Sequence, residues 1–269
     1  MPPWPPKIPS ETVLAIWNAY QAGLNVISRD RQTAHIPPET FAAASKVEEH
    51  RWHWRPDNPR VILVAESHVY TSEADLGVTI DPSVVAPLLV DGETLPPAEY
   101  VGLVYCLGYG ETELLCNRHP QFRPGSTWQY WDLFGRLADT GRQPRASART
   151  TLRQRLEWKF GTLRRLKQRG VWLLDGSVHA IYLGRRQRRS FETCQALHRQ
   201  WCEHYGNKVL EQAGNPVVWA VGAGVRDCLR GNLAGFQPDN FLYQPNARGV
   251  DLNLNWDRLM ADLEKYCFR

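Results

Sequence analysis

The sequence predicts a three-layer α/β/α fold around a central, mainly parallel sheet of four strands. Three observations carry this expectation. Short apolar runs rich in Val, Ile and Leu recur along the chain, amphipathic stretches of helical period separate them, and the runs end in glycines or polar residues. Runs without polar alternation are buried on both faces, as in parallel sheets, and the intervening helices supply the crossovers such sheets need. Ligands in these sheets sit outside the carboxyl ends of the strands.

The elements follow in order. The Pro-rich start, MPPWPPKIPS, reads as an extended arm, because proline fixes φ and removes backbone donors. SETVLAIWNAYQAGLNVI is a helix with Ser10 as its expected N-cap, and PPETFAAASKVEEHRW is a second. RVILVAE is the first buried strand and delivers Glu66, Ser67, His68 and Tyr70 at its end. A further apolar run, EYVGLVYCLGYG, ends in glycines. STWQYWDLFGRLA suits a helix start, and TLRQRLEWKFGTLRRLKQRG a basic amphipathic helix ending at Gly170. VWLLDG is a buried strand with Asp175 at its end, SFETCQALHRQWCEHYGNKVLEQAG is helical, and NPVVWAVGAGV is again strand then Gly-rich turn. NFLYQPNARG is a last strand running into a polar loop before the helix NWDRLMADLEKYCFR. The expected organisation is an N-terminal arm with helices over residues 1–55, packed on one α/β domain over 56–269.

Composition narrows the class. A chain of 269 residues with 43% hydrophobic content buries a substantial core. No signal-peptide pattern opens it and no run is long enough for a membrane span, so a cytoplasmic, monomeric protein is expected. The six cysteines form no CxxC pair or regular framework, which argues against a zinc ribbon and a secreted disulfide scaffold; no metal or cofactor is expected. Charge is uneven. Positions 142–189 hold 14 Lys/Arg and two acids, while the rest has 18 basic and 26 acidic residues. That is the footprint of a polyanion-binding face, or else a solvated basic helix.

The strand ends together resemble the uracil-DNA glycosylase superfamily. VAESHVY stands where that family has a first motif of the GQDPYH or GEAPG kind, GVWLLDG where it has LLLN, and YQPNARG where it has HPSP. The likeness runs from about Val61 to the C-terminus, and QRGVWLLDG is its most specific part. It implies the family's compact α/β/α domain, DNA as partner, base flipping, and hydrolysis of an N-glycosidic bond. Departures accompany it: Ala65 replaces Gly, Ser67 falls where many members have a catalytic Asp or Asn, and Gln244 stands where many have His. The four clustered cysteines of iron-sulfur members are missing.

Breaking this bond passes through an oxocarbenium-like sugar and expels a negatively charged base. The protein must supply negative charge or an oriented water at the sugar and donors at the base. Glu66 takes the first role, as the Glu of GEAPG-type members implies, unless it pairs with an Arg or caps a helix. His68 either donates to the base, or touches a phosphate, or is a hydrogen-bonded loop histidine; His179 is equally open. Gln244 is left as leaving-group donor. Asp175 replaces the Asn with which the family reads uracil. An ionised carboxylate only accepts, so it suits the exocyclic amine of cytosine, unless it is a turn former before Gly176.

Val69 stands where GQDPYH-type members have a Tyr walling off ring position 5, which leaves room for a 5-substituent. The resemblance and these departures point to a phage-defence glycosylase acting on hydroxymethylated or glucosylated cytosine. The alternatives are a uracil-type repair enzyme and a catalytically weak DNA-binding relative. Trp128, with Tyr130 and Trp131 beside it, and Tyr109 are candidate base-stacking aromatics, or ordinary core. DNA contact is expected from Ser67, Asn246, Arg248 and the arginines of GRRQRRS, namely Arg185, Arg186, Arg188 and Arg189.

Overall fold

In the computed structural model, which describes residues 8–126, 128–147, 149–184 and 187–267, helices cover a four-stranded parallel sheet on both sides. The first 53 residues give α1 (Ser10–Ile27) and α2 (Phe41–His53). Ser10 is the first helical residue and not the cap: Pro9 occupies that place with no side-chain bond. Thr40 caps α2, accepting from the Ala43 amide at 3.3 Å. Ala15, Ile16, Ala44 and Val47 from these helices join the same hydrophobic cluster as the sheet, so residues 10–53 are part of the domain's core. The Pro-rich arm, residues 1–7, lies outside the described residues.

Strand β1 (Val61–Ala65) is buried along its whole length. After it come the short helices α3 (Glu73–Leu76) and α4 (Pro82–Val85), and the two-residue strands β2 (Thr79–Ile80) and β3 (Leu115–Cys116), which pair antiparallel. The apolar run over 99–110 stays outside the sheet. Its backbone closes successive turns, Leu103 to Val101, Cys106 to Leu103 and Tyr109 to Cys106. It is apolar because it is buried, and burial alone does not separate strand from coil. Its Tyr105 hydroxyl accepts the Leu173 amide at 2.9 Å, giving that outward amide a partner at the sheet's edge.

Helix α5 (Trp128–Ala138) packs on α6 (Leu152–Gln168). A capping box between Thr151 and Gln154 opens α6, and Gly170 at φ +70° ends it in the left-handed conformation expected from the sequence. Strand β4 (Val171–Asp175) follows at once. The long helical stretch after Ser190 is α7 (Phe191–Trp201), a π-turn over Cys202–Gly206, and α8 (Asn207–Gln212). β5 (Val217–Val221), α9 (Ala223–Leu229), β6 (Phe241–Leu242) and α10 (Trp256–Cys267) complete the chain.

Sheet order is β4-β1-β5-β6. β1 pairs in register with β4, Val61 to Val171 through Ala65 to Asp175, and on its other side with β5. The chain leaves β1 towards β4 and then crosses back to β5. The direction of winding therefore reverses beside β1, and a crevice opens at the carboxyl ends of β1 and β5. No helix among the described residues is long and apolar enough to cross a membrane, and Cys106, Cys116, Cys194, Cys202 and Cys228 are free thiols.

Candidate active site

Glu66 is the first residue beyond β1 and sits at this crevice, 8% exposed. Three donors hold it. Arg188 pairs with Oε1, the Tyr182 hydroxyl donates to Oε2, and Gln244 Nε2 donates to Oε2 at 3.2 Å. Burial alone would raise its pKa, but the Tyr182 and Arg188 hydrogen bonds and the Arg188 charge outweigh it and hold the carboxyl below its ordinary value. A carboxylate offers about four acceptor positions, so three donors leave room for one more, a water or a substrate group.

Each donor arrives for a local reason. The loop after β4 crosses the loop after β1: the Tyr70 amide donates to the Tyr182 carbonyl at 2.8 Å, and Tyr182 bridges both Val69 and Arg188. That crossing brings Tyr182 and Arg188 to Glu66. Gln244 follows β6, and Gly222 follows β5 at φ +117°. A Cβ on Gly222 would lie 3.2 Å from Gln244 Cγ, so both its conformation and the close approach favour glycine. His198, buried on α7, donates from Nδ1 to the Cys194 carbonyl at 2.6 Å, and its Nε2 has no partner among the described residues. Burial lowers its pKa although Glu66 and Asp175 are near enough to oppose this.

Asp175 has partners that the sequence did not indicate. It is 3% exposed, and its Oδ2 accepts from Arg51 at 2.6 Å and faces His68 Nδ1 at 3.2 Å. Arg51, on α2, is also paired with Glu48, which in turn accepts from Tyr205 at 2.8 Å. Burial would push Asp175 up; the Arg51 charge and the His68 bonds reverse this, so the carboxyl is ionised and committed within the protein. Both of these contacts fall on Oδ2 and tie the carboxylate to the interior. His68 is one of those partners. Both ring nitrogens are taken, Nδ1 by Asp175 and Nε2 by Glu39 at 3.0 Å. Burial opposes its charge, but the two carboxylates raise its pKa to about 9. It is a buried imidazolium that cross-links the segment before α2, the β1 loop and β4, out of reach of a base or phosphate.

Other expected site residues divide similarly. Ser67 donates to the His68 carbonyl at 2.8 Å and accepts the Ile181 amide at 2.9 Å, which makes it a loop tie and not a phosphate contact. Arg189 is 2% exposed and donates to the Ala180 carbonyl and the Thr33 hydroxyl, so it too is structural. Arg188 is a partner of Glu66 first and only then a surface cation, 41% exposed. Arg185 and Arg186 lie outside the described residues. Asn246 and Arg248 are on the loop after β6, Arg248 exposed to solvent. Val69 is half-buried and packs against the core, its backbone paired with Gly102 and Tyr182. His179 is buried at 2.8 Å from the Tyr20 carbonyl and belongs to α1 packing. Trp128, half exposed, and Tyr109, buried, line one cavity beside α5.

Several cations of the basic stretch on α6 are paired, most of them with acids from outside it. Arg153 pairs with Glu157, Arg155 with Glu111 and Glu113, Lys159 with Glu111, and Arg164 with Glu93. Arg142, Arg145 and Arg149, in the loop before α6, stay exposed to solvent. Sequence reasoning missed Tyr182, Arg51, Glu39 and His198. Arg51 lies on α2 and Glu39 just before it, in a stretch with no motif, and nothing in the sequence marks either as buried. Among the described residues no group of three or more His, Cys, Asp or Glu is arranged to hold a metal ion. No protein-family model, no curated protein and no solved structure matches the chain.

Proposed function

We propose that the protein is a monofunctional DNA glycosylase that hydrolyses the N-glycosidic bond of a flipped-out modified base and leaves an abasic site. The observation that carries this reading is Glu66: an ionised carboxylate at the switch point of a parallel sheet, fixed by Arg188, Tyr182 and Gln244, with an acceptor position to spare. Its charge opposes the positive sugar of the transition state, and its spare position orients a water. The C1′–N bond breaks with its electron pair on the base, the water oxygen bonds to C1′, and the water's proton passes through Glu66 to the departing base. Gln244 has a second amide hydrogen beyond the one given to Glu66, and this supplies a donor near the leaving group.

For the base, the reading is a 5-substituted cytosine, hydroxymethylated or glucosylated, in phage DNA, with the protein acting as a cytoplasmic monomer. The short Val69, where the family pattern has Tyr, supports the 5-substituent, and Asp175, an acceptor for an exocyclic amine, supports cytosine. The Arg51–Asp175 ion pair favours a second reading, in which Asp175 is structural and base choice is not confined to cytosine. The test is to incubate the protein with duplexes carrying cytosine, uracil, hydroxymethylcytosine or glucosyl-hydroxymethylcytosine and to identify the released base by mass. Release from the modified cytosines supports the proposal. Release from uracil alone sinks the choice of base, and release from none sinks the activity.

A further inference from the structure

A cavity of about 250 Å³ lies beside the first turn of α5 and shares no lining residue with the Glu66 site. Its charged lining is Arg145, Arg155 and Lys159 against Glu111 alone. Arg155 is spent within the protein, donating to Glu111 at 2.9 Å, to the Thr150 carbonyl at 3.0 Å and to Glu113 at 2.5 Å. Even with Glu113, which lies outside the cavity, three cations face two carboxylates. The balance favours an anion. Two donors deep in the lining lack a hydrogen-bond partner among the described residues. The Lys159 ammonium, fully buried, lies 2.9 Å from Glu111 without a well-formed hydrogen bond, and the Trp131 indole N–H, on a ring 1% exposed, has none. An ammonium carries three N–H donors and an indole one, so a group that only accepts satisfies both at once.

The mouth has a different character. Arg145 is exposed and stands 5.1 Å over the half-exposed Trp128 ring, and Arg142 and Arg149 are exposed on the same loop. Depth then selects among phosphates. A diester within a strand has chain on both sides and cannot reach donors that solvent does not touch. A monoester ends its chain, and carries about −1.5 to −2 charge at pH 7. Trp128 adds a ring at the mouth on which any base can stack. The volume, just under the range of about 300–1,000 Å³ for drug-sized ligands, suits one sugar-phosphate with its base outside. We propose that this cavity binds the terminal phosphate of a nucleotide, free or at the end of a nucleic-acid strand, with the base against Trp128. The inference does not depend on base excision, and its test reads binding alone.

The test compares wild type with Arg145→Ala and Trp128→Ala, both at exposed positions, and with Arg153→Ala, which removes an equal charge from an exposed place on α6 outside the cavity. Each protein is titrated by calorimetry at one low salt concentration with thymidine, thymidine 5′- and 3′-monophosphate, and inorganic phosphate. A short thymidine oligonucleotide is added with either a phosphate or a hydroxyl at its end. Wild type is expected to bind one of the monophosphates about tenfold or more tighter than both thymidine and inorganic phosphate. Arg145→Ala should lose about tenfold of that affinity and Trp128→Ala about fivefold, while Arg153→Ala stays within about twofold. Equal affinity for thymidine and its monophosphates, or equal losses in Arg145→Ala and Arg153→Ala, overturns the phosphate site. Inorganic phosphate bound as tightly as the nucleotide overturns the stacking on Trp128 and the assignment to a nucleotide. A tighter grip on the end-phosphorylated oligonucleotide than on its hydroxyl form supports a strand end as the source, and monophosphate binding without that difference supports a free nucleotide.

Discussion

Asp175→Ala separates a structural carboxylate from a base-reading one. In the native protein Asp175 accepts from Arg51 and from His68, both fully enclosed. Removing one partner of a buried ion pair costs about 3–5 kcal/mol, because the other charge is left without compensation. Arg51 keeps Glu48 and His68 keeps Glu39, which places the loss near the lower end, about 3 kcal/mol. At about 2–4 °C per kcal/mol for a chain of this size, the midpoint of thermal unfolding falls by roughly 6–12 °C. Asp175→Asn keeps shape without charge and falls by less. The assay is thermal and urea unfolding of both variants beside base release on the modified duplexes. If Asp175→Asn unfolds like wild type but changes which base is released, Asp175 reads the base and the buried-network account is wrong.

Further expectations follow from the same network. His68 titrates at about 9 folded against 6.5 in the open chain, so its contribution is fully present below pH 6.5 and disappears as pH rises through 9. Urea unfolding should lose up to about 3 kcal/mol across that window, and a flat profile would contradict the buried imidazolium. Arg188→Ala removes a donor and a charge that hold Glu66 low, so the acid limb of the base-release profile should move to higher pH; an unmoved limb would show that Glu66 does not set it. Arg189→Ala should cost about 2–3 kcal/mol of stability through its buried hydrogen bonds and leave the salt dependence of DNA binding unchanged. Replacing Arg142, Arg145 and Arg149 together should instead reduce that salt slope by about 0.9 for each phosphate no longer neutralised, and an unchanged slope would place DNA elsewhere.

Much of the fold was legible because burial on two faces writes itself into sequence. The runs around Val61, Val171 and Val217 have no polar alternation, and each is a central or covered parallel strand. The run over 99–110 carries the same signal yet forms turns, since hydrophobicity reports burial and not backbone conformation. For the site, the strand ends brought Glu66 and Gln244 together as the alternation implied. The partners that decide what each acid does were not legible. Asp175 and Glu66 look alike in sequence, each an acid closing an apolar strand. One meets Arg51 and His68 in the interior and the other meets Arg188 and Tyr182 at the crevice. That difference comes from how α2 and the loop after β4 cross the sheet, pairing residues more than a hundred positions apart. The basic residues of α6 were visible in the same way, but not which of them meet Glu93, Glu111 and Glu113.

The central claim is that Glu66 performs chemistry at the sugar. Its most direct test is single-turnover base release from glucosyl-hydroxymethylcytosine duplex by wild type and Glu66→Gln, with DNA affinity measured in parallel. The account predicts that the glutamine variant, which retains hydrogen bonding but lacks the negative charge, loses about a hundredfold or more in rate while binding DNA with wild-type affinity. Wild-type release rates in Glu66→Gln would contradict it.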